Sequence, residues 1–283
     1  RSHFVAQELM ERGGTSGSGG WLGRWLRARG TTGMLTAVAA GPEVPDSLRG
    51  APSATALAGV MDLAPGQAWR GLCASLAGLY ARDAQFGGPA RDALGAADRL
   101  ARIRADGVRP EHGARYPSSG DGEVAHAFGT RLAQLAALSR ARVGLVAACV
   151  DLTGWDSHFA QETIVAPRMR ALALGLAAFV TDLGSDLSRT SVVVMSEFGR
   201  RAGENASLGT DHGRGGVMLV LGGGTPGGMH CRWPGLEESS LDGPGDLPVV
   251  HDYRNVLSAV LRRHGRIDPA RVFPGHVETR IDV

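Results

Sequence analysis

Residues 143–150, VGLVAACV, form a short, unbroken apolar run, and the chain around it decides the fold class. Continuous apolar runs of this length mark strands covered on both faces of a parallel sheet, whereas a half-solvated strand alternates. The polar stretch Asp151–His158 follows at once. Beyond it Val165, Met169, Leu172, Leu176, Phe179 and Leu183 recur at spacings of four and three, which predicts a crossover helix. Two further apolar runs, at 192–195 and 217–221, predict strands, and a final helix is predicted over 252–264 with Val256, Leu257, Val260 and Leu261 inward. Strand, helix, strand, loop, strand, helix is the order of an α/β sheet with helical crossovers. The expected fold is therefore α/β with a mostly parallel sheet.

Upstream the signal is helical. Residues 3–12 and 21–29 read as short helices joined by a glycine- and serine-rich segment, 13–20, expected to be a mobile surface loop. Residues 31–64 lack a period, contain Pro42, Pro45 and Pro52, and leave room for one or two short strands. Pro65 at a first helical turn introduces Trp69, Leu72, Leu76 and Leu79 at helical spacing, and further helices are predicted over 89–106 and 122–141. The whole reads as one domain, 1–283, with a mainly helical and irregular region over 1–141 and a sheet core over 142–283.

Composition narrows the function. The 283 residues are 43% hydrophobic and 20% charged, as in a globular chain and unlike a disordered one. All 30 basic residues are arginine, and the 42 glycines are about twice the usual share, a pattern that fits GC-rich coding. A net charge of +2 with scattered arginines argues against a nucleic-acid partner. The longest apolar helical stretch, near Ala171 to Val180, is short of the ~20 residues of a membrane span, so none is expected. Cys73, Cys149 and Cys231 are too scattered for a CxxC metal motif or a disulfide framework.

Ligands of α/β sheets bind beyond the carboxyl ends of the strands, and two of the predicted ends carry acids and histidines. Asp156 and His158 are two apart, so in extended chain they face the same way and can reach one metal ion. The plainer alternative is a capping aspartate beside a surface histidine. The second cluster runs from Ser196-Glu197-Phe198-Gly199-Arg200-Arg201 through Glu204 and Asn205 to Asp211-His212, with glycines at 199, 203, 209 and 213 for tight folding. Its alternative is a polar loop whose acids pair with Arg200, Arg201 and Arg214. Carboxylates and imidazoles without thiolate suit Zn, Mn, Mg or Ca, and Arg200 is a candidate anion clamp.

Gly222-Gly223-Gly224-Thr225-Pro226-Gly227 matches GxGxxG after a strand, but no helix is predicted to follow, so a dinucleotide site is set aside. His251 is a helix-entry residue or a further ligand. His112, His126, His230, His264 and His276 stand alone and read as structural or surface groups.

Several motifs in order carry a family resemblance: Arg1-Ser2-His3-Phe4 with Gly20-Trp21-Leu22, Gly154-Trp155-Asp156-Ser157-His158, Met195–Arg201, Gly209–Gly213, Trp233–Leu236, Asp252-Tyr253-Arg254 and Val272–Gly275. The chain resembles the bacterial domain-of-unknown-function 1501 family, sulfatase-like proteins grouped with the alkaline phosphatase superfamily. The resemblance implies a three-layer α/β/α sandwich and a metal-dependent hydrolase of phosphate or sulfate esters. Asp156 and His158 would serve one metal, Asp211 and His212 the other, and Glu197 would ligate or position water. It also implies that the first acidic ligand and the nucleophile belong to an N-terminal strand and loop ahead of Arg1. The chain is thus expected to be the C-terminal part of a longer domain, with a periplasmic or secreted setting. The alternative is a non-catalytic exported binding or scaffold protein that keeps the fold.

Overall fold

The computed structural model describes residues 2–59, 67–265 and 267–282. It is a mixed helix and strand structure with a small parallel sheet of order β2-β1-β3, formed by β1 (Ala37–Ala39), β2 (Thr55–Ala56) and β3 (Ala147–Cys149). β1 is central and buried on both faces, with Ala37 and Val38 fully covered. Its side chains alternate between two apolar clusters. Val38 packs with residues of three helices, α4 (Gly87–Asp106), α5 (Glu123–Arg140) and α6 (Gln161–Leu183). Ala37 and Ala39 pack instead with α2 (Trp21–Arg29), α7 (Tyr253–Arg263) and α8 (Pro269–Val272).

The apolar run 143–150 is thus an edge strand of three residues, partly exposed, while the fully buried strand is β1 in the stretch without a period. Three residues are too few to display an alternation, and alanine is a weak strand signal. The sheet is accordingly not confined to residues 142–283. β4 (Ser191–Val194) does not continue it either: it pairs antiparallel with β5 (Leu219–Gly222), with Val192 opposite Leu221. Of the mostly parallel sheet expected, the parallel triplet is present, and β4 and β5 form a separate antiparallel pair.

The helices follow their stripes. α1 (His3–Arg12) and α2 each stop at a glycine in the left-handed region, Gly13 at φ 74° and Gly30 at φ 70°. α3 (Gln67–Tyr80) takes the predicted place, and the Pro65 assigned to its first turn lies outside the described residues. α5 and α6 approach closely at Gly175, where a methyl group would stand 2.7 Å from the Phe128 ring. α7 begins under Asp252, whose carboxylate accepts from the Arg254 N–H at 2.9 Å.

α6 is longer than its apolar centre implied. With the 3-10 turn that follows, it forms the one helix among the described residues long and apolar enough to cross a membrane by length and composition alone. It contains Pro167, and Ala171, Leu172, Leu176, Phe179 and Leu183 are buried in the core. Near its end Asp182 has no exposed surface. Its carboxylate accepts from the Tyr116 hydroxyl at 2.8 Å and the Glu111 N–H at 2.7 Å, and pairs with Arg140.

The segment 13–20 is fastened in part by Arg24, alongside a backbone hydrogen bond from Gly20 N to Arg49 O at 2.9 Å. Arg24 is buried and donates to the carbonyls of Val272 at 2.7 Å, Gly19 at 2.7 Å and Arg12 at 2.5 Å. Both ends of the expected mobile loop are therefore held from α2.

Candidate metal centre

Beyond β3 the chain runs through residues 150–160 to α6, carrying Asp156 and His158; beyond β4 it runs through 195–213, carrying Glu197, Arg200, Arg201, Asp211 and His212. The two loops are joined by backbone hydrogen bonds from Ala160 N to Ser207 O at 2.9 Å and from Gln161 N to Leu208 O at 2.8 Å. Asn205 reinforces the joint, donating to His158 O at 2.9 Å and accepting from Ser207 N and Gly209 N. A Cβ on Gly209 would sit 2.3 Å from the His158 carbonyl carbon, so only glycine permits the approach. Ala160 and Leu208 both occupy the left-handed region, at φ 42° and 58°, a costly conformation for residues with a Cβ.

The joint converges three donor atoms. His158 Nε2 and His212 Nε2 are 2.9 Å apart, and each lies 3.2 Å from Asp156 Oδ1. The first turn of α1 brings a third imidazole. His3 packs edge-on against His212 with ring centroids 4.4 Å apart, and His3, Asp156 and His212 each offer a donor atom within 4.8 Å of the others. His3 Nδ1 is 2.6 Å from Glu197 Oε1, and its Nε2 is 3.4 Å from Asp156 Oδ2, buried, with no hydrogen-bond partner.

The remaining residues stand behind these donors. Asp211 faces the opposite nitrogen of His158, at 3.4 Å from Nδ1, and is also contacted by Asn205 and by Arg201 Nη1 at 3.1 Å. Arg200 donates through Nη2 to Asp156 at 2.6 Å and through Nη1 to Thr210 O at 2.8 Å. Of the five carboxylates and histidines expected at the site, Asp156, His158 and His212 converge directly, while Asp211 and Glu197 each face the rear nitrogen of a histidine.

Charge follows geometry. For Asp156, burial opposes ionisation, but hydrogen bonds from Arg200 and His212 and the nearby charges of His158 and Arg200 hold its carboxyl well below the usual carboxylate range. Asp211 is likewise lowered, by the hydrogen bonds from Asn205 and His158 and by Arg201. Both carboxylates are kept ionised and available as acceptors or ligands.

The sequence reading gave His3 no role in the centre. It stands 153 positions before Asp156 and alone on a helix, where spacing carries no information. The other single histidines have local partners: His112 with Asp182 O, His126 with Pro117 O, His230 with Pro226 O, His264 with Ser191 Oγ and His276 with Asn255 Oδ1. Asp252, rather than His251, caps α7. Gly222 to Gly224 form a turn after β5 with no helix following.

Beside the centre, α1 forms one wall of a cavity of about 380 Å³ at the carboxyl ends of β1 and β3. Glu8, Glu43 and Asp151 line it together with Arg131, and Phe4 and Val44 supply apolar surface.

A family model described as "Protein of unknown function (DUF1501)" matches residues 96–277, nearly two thirds of the chain. No curated protein and no solved structure matches.

Proposed function

This chain belongs to the DUF1501 family, and on that premise we propose that it is a metal-dependent hydrolase of phosphate or sulfate esters with an alkaline phosphatase-like α/β/α architecture. The packing of helices against both faces of β1 supports that architecture. The observation that carries the function is the triangle of His158 Nε2, His212 Nε2 and Asp156 Oδ1, with sides of 2.9, 3.2 and 3.2 Å. A cation held by nitrogen and oxygen donors at about 2.0–2.2 Å keeps neighbouring donors about 3.0–3.5 Å apart, so the residues fit a metal. Two facing imidazole nitrogens also share at most one proton between them, which leaves a lone pair to be used. An imidazole-rich set favours zinc or a similar ion over magnesium or calcium.

A bound divalent ion would activate water and polarise a phosphoryl or sulfuryl oxygen. Asp211 holds the His158 ring by its rear nitrogen and so presents Nε2. Arg200 keeps Asp156 ionised and sets a cation beside the place where an anionic ester binds. The cavity beside α1 receives the organic part of the ester. Its excess of carboxylates over guanidiniums disfavours a second anionic group there.

The test is metal analysis together with turnover of aryl phosphate and aryl sulfate esters in the presence of zinc or manganese. Stoichiometric metal, lost in His158→Ala and His212→Ala, and turnover of one ester class are expected. A chain without metal would sink the reading. Metal without turnover across the panel would support the binding or scaffold role instead.

A further inference from the structure

We propose that His3 is a fourth donor to the same metal ion, aimed by Glu197, so that the bound ion fastens the first turns of α1 over the centre. The inference rests on the metal reading above. His3 Nε2 is buried with no hydrogen-bond partner, while Nδ1 makes a 2.6 Å contact to Glu197 Oε1. A carboxylate on one ring nitrogen fixes the tautomer and leaves the other nitrogen unprotonated, the arrangement usual for ligating histidines. The same pattern recurs across the centre, where Asp211 backs His158. Two carboxylate–imidazole pairs from distant parts of the chain thus converge on Asp156: Nε2 of His3 is 3.4 Å from its Oδ2, and Nε2 of His158 is 3.2 Å from its Oδ1.

The two halves of α1 are held differently. The C-terminal half is tied to the body: Glu11 accepts from Ser47 N at 2.9 Å, and the Tyr253 hydroxyl donates to Leu9 O at 3.2 Å. The N-terminal half exposes Phe4 and Val5 and reaches the body through His3. A ligand at residue 3 therefore converts metal binding into order of this half, and with it the wall of the neighbouring cavity.

The experiment measures Zn²⁺ affinity by competition with a chromophoric chelator, the absorption of the Co²⁺-substituted chain, and hydrogen exchange of α1 amides with and without Zn²⁺. It compares the full chain with His3→Gln and Glu197→Gln, each checked for native circular dichroism. Glu197→Gln should weaken zinc about 10–100-fold, the cost of a lost orienting partner. His3→Gln should weaken it more, alter the cobalt spectrum, and abolish the zinc-dependent protection of residues 4–10. Unchanged affinity and cobalt spectrum in His3→Gln would overturn the proposal while leaving the metal reading intact. A native chain that binds no zinc would overturn both.

Discussion

Replacing Asp182 by alanine should unfold the junction of α5, α6 and the segment 109–116 well before it touches the candidate metal centre. The carboxylate is fully buried and serves Tyr116, Glu111 N and Arg140 at once. Removing one member of a buried pair costs about 3–5 kcal/mol. Arg140 keeps two other acceptors, Glu111 at 3.3 Å and Arg109 O at 2.8 Å, which places this case at the low end. The half-buried Tyr116 hydroxyl adds about 1 kcal/mol for its lost acceptor. The expected loss is about 4 kcal/mol, or on the order of 10 °C in Tm. Asp182→Asn, which keeps the shape and one acceptor but not the charge, should lose about half as much. Urea unfolding followed by circular dichroism measures both, and Tyr116→Phe completes a double-mutant cycle in which coupling of about 1 kcal/mol is expected. A loss below about 1.5 kcal/mol in Asp182→Ala, or strict additivity with Tyr116→Phe, would refute the account, because a charge-bearing hub cannot be removed independently of its partners.

Three further outcomes follow from the geometry. Gly209→Ala should separate the two loops of the centre, since the new methyl meets the His158 backbone; zinc affinity measured by chelator competition should fall at least tenfold, and an unchanged value would show that the loops can part without cost to the site. Arg24→Ala strips donors from three carbonyls and should cost about 2–4 kcal/mol, with limited proteolysis now cutting within residues 13–20; resistance to the protease would mean the segment is held by other contacts. The Cys149 thiol is pushed up to about 12 by burial, against which Ser47 works weakly. It should therefore resist iodoacetamide at pH 9 while exposed Cys231 reacts, as peptide mapping reads directly. A folded pKa above the unfolded value of 9.0 also means that stability from this residue is complete below pH 9 and is lost as pH rises from about 9 to about 12.

The helices were legible because their stripes are long. The leucine and phenylalanine repeat of α6 spans five turns, and the structure adds four residues to its start. Residues 31–64 left room for the two short strands found there, but nothing marked one as central: Ala37, Val38 and Ala39 owe their burial to helices from both ends of the chain, which no local window contains. Strand order also misled, because β4 turned to pair with its successor β5 instead of joining the strand before it.

In the centre, Asp156 and His158 share a face by simple alternation, and the structure brings both to the same point. Asp211 and His212 were read as a pair, yet neighbouring residues of extended chain point to opposite sides. That alternation sends His212 to Asp156 and Asp211 to the rear of His158. His3 and Glu197 meet across 194 positions, a separation at which sequence offers no register.

That separation sets an entropic cost on assembling the centre. Loop closure across 54 positions, as between His158 and His212, and then across 194, as between His3 and Glu197, grows steadily more demanding in chain entropy. The packing of α5 on α6 and the β4–β5 ribbon join stretches much closer in sequence and can form early. The imidazoles of His3 and His212 meet only when stretches this far apart have closed on one another, so an intact centre reports that α1 and the loop beyond β4 are both in place.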